Sequence, residues 1–135
     1  MFKTFLEEGN VKECPLDNQK IKSLILMSES IIKSFEKIPL DDLNASLTVT
    51  NHYEALRLIL ECVGIKKGYS FFSHEAYYYF VLEILKDQRI AENFDKYRKV
   101  RNKINYYGKT VSKEFACEAK ENMLLLINDI KKKFL

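Results

Sequence analysis

A basic segment in the C-terminal third of the chain holds the residue types best suited to bind an anion. Between Lys96 and Lys113 the sequence carries seven lysine and arginine side chains and no acidic one. The whole chain has 22 basic and 19 acidic side chains, so the rest of it has 15 basic against 19 acidic ones, and the net charge of +3 arises from this segment. Such a concentration of positive charge indicates an anionic partner.

The centre of the segment, RNKINYYG, combines an arginine with two asparagines. Arg101 supplies a planar guanidinium with five N–H donors, which fits a phosphate or a carboxylate. Asn102 and Asn105 are poor helix formers because their side chains compete for backbone hydrogen bonds, so they either help to end a helix or serve a site. In a site, their amides would orient Arg101 or contact the ligand. The candidate binding residues are Arg98, Arg101, Asn102, Asn105, Tyr106 and Tyr107.

Apolar residues recur at helical spacing along the chain and predict the elements that position this cluster. Four glycines and two prolines are too few for the many tight turns of a sandwich or barrel. The short connections favour antiparallel neighbours. We therefore predict an all-α protein, an up-and-down bundle of four to five helices forming a single domain over residues 1–135. The predicted helices cover approximately residues 17–38, 44–64, 73–86, 87–107 and 110–133.

Several boundaries and faces of these helices can be predicted in more detail. Gly64 is a plausible end of the second helix and Gly108 of the fourth, and either Thr110 or Ser112 begins the last one. A strand is an alternative over residues 77–85, whose residues include strong β-formers. On a wheel of the fourth helix at 100° per residue, Arg101 lies at the border of the apolar face. Ile90, Val100, Ile104 and Tyr107 point to the core, and Lys96, Lys99 and Lys103 form an opposite, solvated face. Phe94 also belongs to the apolar stripe of this helix, as Tyr53 does to that of the second helix.

The remaining reactive side chains and the N-terminus predict a cytoplasmic protein without metal or cofactor. Glu7 and Glu8 precede any long apolar run, unlike a secretory signal, and the apolar stretches are too short to span a bilayer. The cysteines are three in number, widely spaced and without a CxxC pair, which favours free thiols in a reducing compartment. The two histidines, near predicted helix starts, are interpreted as packing or surface residues. These residues are Cys14, Cys62, Cys117, His52 and His74.

The pattern Tyr97-Arg98-x-x-Arg101-Asn102-x-Ile104, near the end of the penultimate helix, resembles the higher eukaryotes and prokaryotes nucleotide-binding (HEPN) superfamily. The upstream stretch HYEALRLILECVGIKKGY, followed by SHEA, is similar to stand-alone archaeal and bacterial members. The resemblance covers residues 15–133. It implies a metal-independent ribonuclease or toxin, a homodimer with paired sites at its interface, and a nucleotidyltransferase partner of the antitoxin type.

The chain departs from this family in the residue that would move protons. Members with activity pair the arginine with a histidine that follows it after four to six intervening residues, because RNA cleavage without a metal needs a base near neutral pKa as well as a cation. Here those positions hold Tyr106, Tyr107 and Gly108, and a tyrosine has a reference pKa of about 10. By this resemblance Arg101 and Tyr106 are the catalytic candidates, and the two tyrosines are candidates for nucleotidyl modification.

Three functions are consistent with the sequence. The first is an HEPN-like toxin–antitoxin component that binds RNA or a nucleotide at Arg101, Asn102 and Asn105, with a degenerate ribonuclease site. In it, Arg98 and the tyrosines would contribute, the latter by stacking on bases. The second is an active metal-independent endoribonuclease with an altered base. The third is a dimeric helical interaction module, for which the aromatic residues at 71–72 and 77–80 would line the interface.

Overall fold

Six α-helices make up most of the chain in the computed structural model, which describes residues 1–135. The all-α class is thus confirmed. Two three-residue strands are the only sheet. The elements in chain order are α1 (Phe2–Glu7), β1 (Val11–Glu13), α2 (Asn18–Glu36), α3 (Ala45–Lys67), β2 (Tyr69–Phe71), α4 (His74–Tyr79), a π-helical turn (Phe80–Ile84), α5 (Gln88–Tyr107) and α6 (Lys113–Phe134).

Helix α3 is the central element of the bundle. It carries buried residues along its whole length, from Ala45 to Ile65, because α2, α6 and α5 all pack against it. By contrast Ser28 is the one fully buried residue of α2, and its hydroxyl donates to the carbonyl oxygen of Ala55 at 2.9 Å. A helix surrounded by neighbours needs apolar residues on several faces, which is the composition of α3.

Local capping signals fix the ends of the helix that carries the candidate site. The Asp87 carboxylate accepts a hydrogen bond from the backbone N–H of Ile90 at 3.0 Å and begins α5. Gly108 ends the same helix with φ of +64°, a left-handed conformation that glycine adopts without strain. Both boundaries agree with the prediction. Of the two candidates for the start of α6, Ser112 is the cap, accepting from Phe115 N–H at 3.1 Å.

The predicted end of the second helix at Gly64 is wrong. Helix α3 continues to Lys67 and ends at Gly68, whose φ is +94°. Gly64 is needed for a different reason, because a side chain at this position would overlap the ring of Phe71 on β2. A glycine that allows close packing and a glycine that ends a helix look alike in a sequence.

The strand alternative for residues 77–85 is also wrong, since residues 77–84 lie in α4 and the π-helical turn. The short strands lie elsewhere, with Val11 opposite Phe71 and Glu13 opposite Tyr69 in an antiparallel pair. Aromatic side chains from both regions pack together, because the ring of Phe71 lies 4.3 Å from that of Tyr77 and 5.1 Å from that of Phe80. The aromatic residues at 71–72 and 77–80 therefore belong to the core or pack against it, with the exception of the exposed Phe72.

The last turn of α5 extends beyond the packed part of the bundle. Its fully buried residues, Ile90, Ala91, Phe94 and Tyr97, all lie in the first half of the helix. Val100 and Ile104 are half-buried, and Tyr107 is 75% exposed. The prediction that Tyr107 points to the core is therefore wrong, because no other element covers that turn. The segment RNKINYYG stands at a solvent-facing end of the helix.

None of the helices has the combination of length and apolar character that crossing a bilayer requires. The three cysteines are free thiols. Cys62 is buried between α3 and α2, and burial raises the pKa of its thiol to about 11, so this thiol is inert at neutral pH.

Candidate functional site

The guanidinium of Arg101 is held by neutral groups. Its Nη1 donates to Oδ1 of Asn102 at 2.8 Å and, at the longer distance of 3.5 Å, to the hydroxyl of Tyr106. Its Cζ lies 5.3 Å from the ring centroid of Tyr53 and 5.6 Å from that of Tyr106. Cation–π contacts of this kind hold a guanidinium in place without neutralising it.

Two nearby arginines, unlike Arg101, form ion pairs with carboxylates. Nε of Arg98 lies 2.8 Å from a carboxylate oxygen of Asp95. Arg57 on α3 pairs with Glu54 at 2.6 Å and with Glu61 at 3.2 Å. No carboxylate lies within ion-pairing distance of Arg101. Arg101 is half-buried, so its charge is screened less than that of a fully exposed side chain.

Tyr53 on α3 connects Arg101 to the core and to α4. It is 1% exposed, and its ring stacks on that of Phe94 on α5 with 5.5 Å between centroids. Its hydroxyl lies 2.8 Å from Nδ1 of His74 at the start of α4. A buried tyrosine hydroxyl requires a hydrogen-bond partner, and His74 is that partner.

His74 is a neutral imidazole at physiological pH. Burial, and then the positive charges of Arg101 and Arg57, lower its pKa to about 4. Nε2 of His74 makes no hydrogen bond within the chain, since the ring bonds only through Nδ1. The only buried side-chain nitrogen or oxygen without a partner is Nε2 of His52. Nε2 of His74 is therefore in contact with solvent. His74 therefore presents an uncharged ring nitrogen to the solvent, close to a cationic group.

The lowered pKa of His74 makes the stability of the protein depend on pH. The unfolded chain takes up a proton near pH 6.5 and the folded chain only near pH 4, so stability is complete above about pH 6.5 and is lost as the pH falls toward 4. His52 contributes with the same sign, because burial lowers its pKa too. We expect His74 to account for about 1–2 kcal/mol of this loss, reduced by its partial exposure.

Urea denaturation at pH 7.0 and at pH 4.5 measures this dependence. The variant His74→Gln keeps a polar partner for Tyr53 but does not titrate, and we expect it to lose less free energy of unfolding between the two pH values than the parent chain. An equal loss in both proteins would show that His74 is protonated as readily in the folded chain as in the unfolded one.

The structure brings some of the predicted site residues together and separates others. Asn102 and Tyr106 contact Arg101 directly, and the amide of Asn102 orients it. Arg98 lies on the neighbouring face of α5, and its guanidinium forms an ion pair with Asp95. Asn105 and Tyr107 are exposed and make no side-chain hydrogen bond within the chain.

Three residues that build the site were not predicted as site residues from the sequence, namely Tyr53, His74 and Phe94. Tyr53 and Phe94 were interpreted as members of apolar stripes, and His74 as a packing or surface residue. A tyrosine inside an apolar stripe needs a partner for its hydroxyl, and this was a signal that could have pointed to His74. The interpretation is right for His52, which is buried, with Nδ1 2.7 Å from the carbonyl oxygen of Thr48.

No group of three or more histidine, cysteine, aspartate or glutamate side chains is placed to hold a metal ion. Comparison of the chain with known families finds no family that matches, and comparison with curated proteins finds no relative. The function of the chain must therefore be inferred from the residues of the site.

Proposed function

We propose that this chain is a cytoplasmic HEPN-like protein that binds RNA or a nucleotide through a phosphate group at Arg101. One observation carries the proposal, namely that a half-buried guanidinium is oriented by Asn102 and supported by two aromatic rings yet has no carboxylate partner. A charged group in this position gains most from an external anion, because charge-assisted hydrogen bonds are the strong ones.

The surroundings of Arg101 suit a single-stranded nucleic acid. Tyr106 is 66% exposed and Tyr107 more so, and exposed aromatic rings stack on unpaired bases without regard to sequence. Asn105 is exposed and lies one helical turn after Arg101 on the same side of α5, so it would contact the backbone. The resemblance of the sequence to HEPN proteins further supports a toxin–antitoxin component that acts as a homodimer beside a nucleotidyltransferase partner.

Binding of a fluorescent single-stranded RNA, measured by anisotropy at several salt concentrations, tests the proposal. We expect Arg101→Ala to weaken binding about 10-fold to 100-fold, since a hydrogen bond to a charged group contributes about 1.5–3 kcal/mol, and to reduce the salt dependence. The matched control is Arg89→Ala, which removes the same charge from the exposed start of α5, where Arg89 pairs with Asp129 at 2.7 Å.

We expect the control to bind RNA nearly as well as the parent chain. If both variants lose the same affinity, binding depends on net charge alone and the site at Arg101 is not the cause. If neither loses affinity, the chain has no phosphate site at Arg101.

A second candidate function, metal-independent cleavage of RNA, is favoured by the position of His74. In the tautomer with its ring proton on Nδ1, His74 donates that N–H to the Tyr53 hydroxyl and keeps a lone pair on Nε2. Nε2 could then take the proton of a ribose 2′-hydroxyl while that oxygen attacks the adjacent phosphorus and Arg101 stabilises the charge on the phosphate. The bond from phosphorus to the 5′-oxygen then breaks, and the leaving oxygen takes the proton back from the imidazolium. The products would be a 2′,3′-cyclic phosphate and a 5′-hydroxyl.

A further inference from the structure

A cleft with a volume of about 280 Å³ lies between α4 and α5. It begins one helical turn, about 5.4 Å, before Arg101 and Asn102 on α5. The size is near the lower end of the range for small-molecule sites, and it is sufficient for one planar ring system. Its walls are formed by Glu75, Tyr78 and Tyr79 from α4 and by Asp95, Arg98 and Lys99 from α5.

The two carboxylates of this cleft, on Asp95 and Glu75, differ in whether they have a partner within the chain. Asp95 is neutralised from both sides, by Arg98 at 2.8 Å and by Lys99 at 3.1 Å. Glu75 is exposed and makes no hydrogen bond or ion pair with any residue of the chain. The cleft therefore offers one free pair of acceptor oxygens, on Glu75, beside a compensated network.

The aromatic walls are suited to a flat ligand. Tyr78 and Tyr79 are half-buried, and their rings lie 4.9 Å apart at an angle of 82°. A flat ring that enters the cleft can meet the face of one tyrosine and the edge of the other, which are the two favourable aromatic geometries. Glu75, Tyr78 and Tyr79 share one face of α4, because they are three and four residues apart.

We propose that this cleft binds the base of the nucleotide whose phosphate Arg101 holds, and that Glu75 selects guanine. Guanine carries two adjacent N–H donors, at N1 and at the exocyclic N2, and a carboxylate accepts both at once. Adenine and cytosine each offer a single amino group at that edge, and uracil a single ring N–H. The proposal rests on the function proposed for Arg101, and it adds the chemical identity of the base.

The test uses the four ribonucleoside 5′-monophosphates, with dissociation constants measured by titration calorimetry on the full chain. We expect the guanine nucleotide to bind about 5-fold to 100-fold more tightly than the other three, which is the discrimination typical of a bidentate contact to a base. In Glu75→Gln, which keeps the size of the side chain but removes one of the two acceptors, we expect the preference to fall to about 2-fold or less. The matched control is Glu114→Gln at the exposed start of α6.

Arg101→Ala separates the two proposals. We expect it to weaken all four nucleotides by a similar factor and to leave the order of preference unchanged. If Arg101→Ala weakens binding but the parent chain does not prefer guanine, or Glu75→Gln keeps the preference, then the assignment of the cleft is overturned and the phosphate site stands. If Arg101→Ala binds every nucleotide as the parent does, both proposals fail.

Discussion

Phe94→Ala is expected to lower the free energy of unfolding by about 3–5 kcal/mol, the range observed when a buried phenylalanine is truncated. Phe94 is completely buried on α5. Its ring stacks on Tyr53 from α3 and meets Tyr77 from α4 edge-on at 5.8 Å. Its removal leaves a cavity where three helices meet, and the contacts around it are lost together. The midpoint of urea denaturation at pH 7 measures the effect.

The matched control for this substitution is Phe72→Ala. Phe72 is 64% exposed and its ring is contacted by the ammonium group of Lys12 at 5.3 Å, so the same change should alter stability by less than about 1 kcal/mol. A similar effect of both substitutions would contradict the packing of α5 against α3. The milder Phe94→Leu should also weaken RNA binding, because Phe94 stacks on Tyr53 and the ring of Tyr53 supports Arg101.

The position of the candidate arginine could be predicted because it depends on local signals. Asp87 begins α5 and Gly108 ends it, and the apolar residues between them define which side faces the core. These three features lie within one helix, so periodicity alone places Arg101 at the border of the apolar face. The same reasoning failed for Tyr107, because the wheel shows a direction but not whether another element is present there.

The partners of Arg101 could not be predicted in the same way. Tyr53 and His74 are separated by 21 residues and lie on different helices, and Phe94 lies on a third. Their contact depends on how α3, α4 and α5 cross, which is determined by packing throughout the core. The short strands were missed for a related reason. Each has three residues, with one buried position in β1 and none in β2, so neither carries an alternation that a sequence reveals.

His74→Gln is expected to reduce the rate of RNA cleavage in EDTA by about 100-fold or more, if cleavage is the activity of this site. A general base contributes about 10²–10⁴-fold, and glutamine retains a polar partner for the Tyr53 hydroxyl but cannot take a proton. In the free protein the pKa of His74 is about 4, with burial and the charge of Arg101 as its causes. A bound phosphate anion offsets the charge of Arg101 and raises this pKa toward the value that general-base catalysis requires.

The pH dependence distinguishes this role from a structural one. The acid limb of kcat/KM reports the free protein and should lie near pH 4, whereas that of kcat reports the complex with RNA and should lie at higher pH. Tyr106→Phe tests the competing candidate, because the Tyr106 hydroxyl lies 3.5 Å from Nη1 of Arg101. If Tyr106→Phe abolishes cleavage and His74→Gln does not, the tyrosine replaces the missing histidine and His74 only supports Tyr53. If both variants cleave RNA at the parental rate while Arg101→Ala still loses binding, the site holds RNA without using either residue as a base, and the general-base assignment fails.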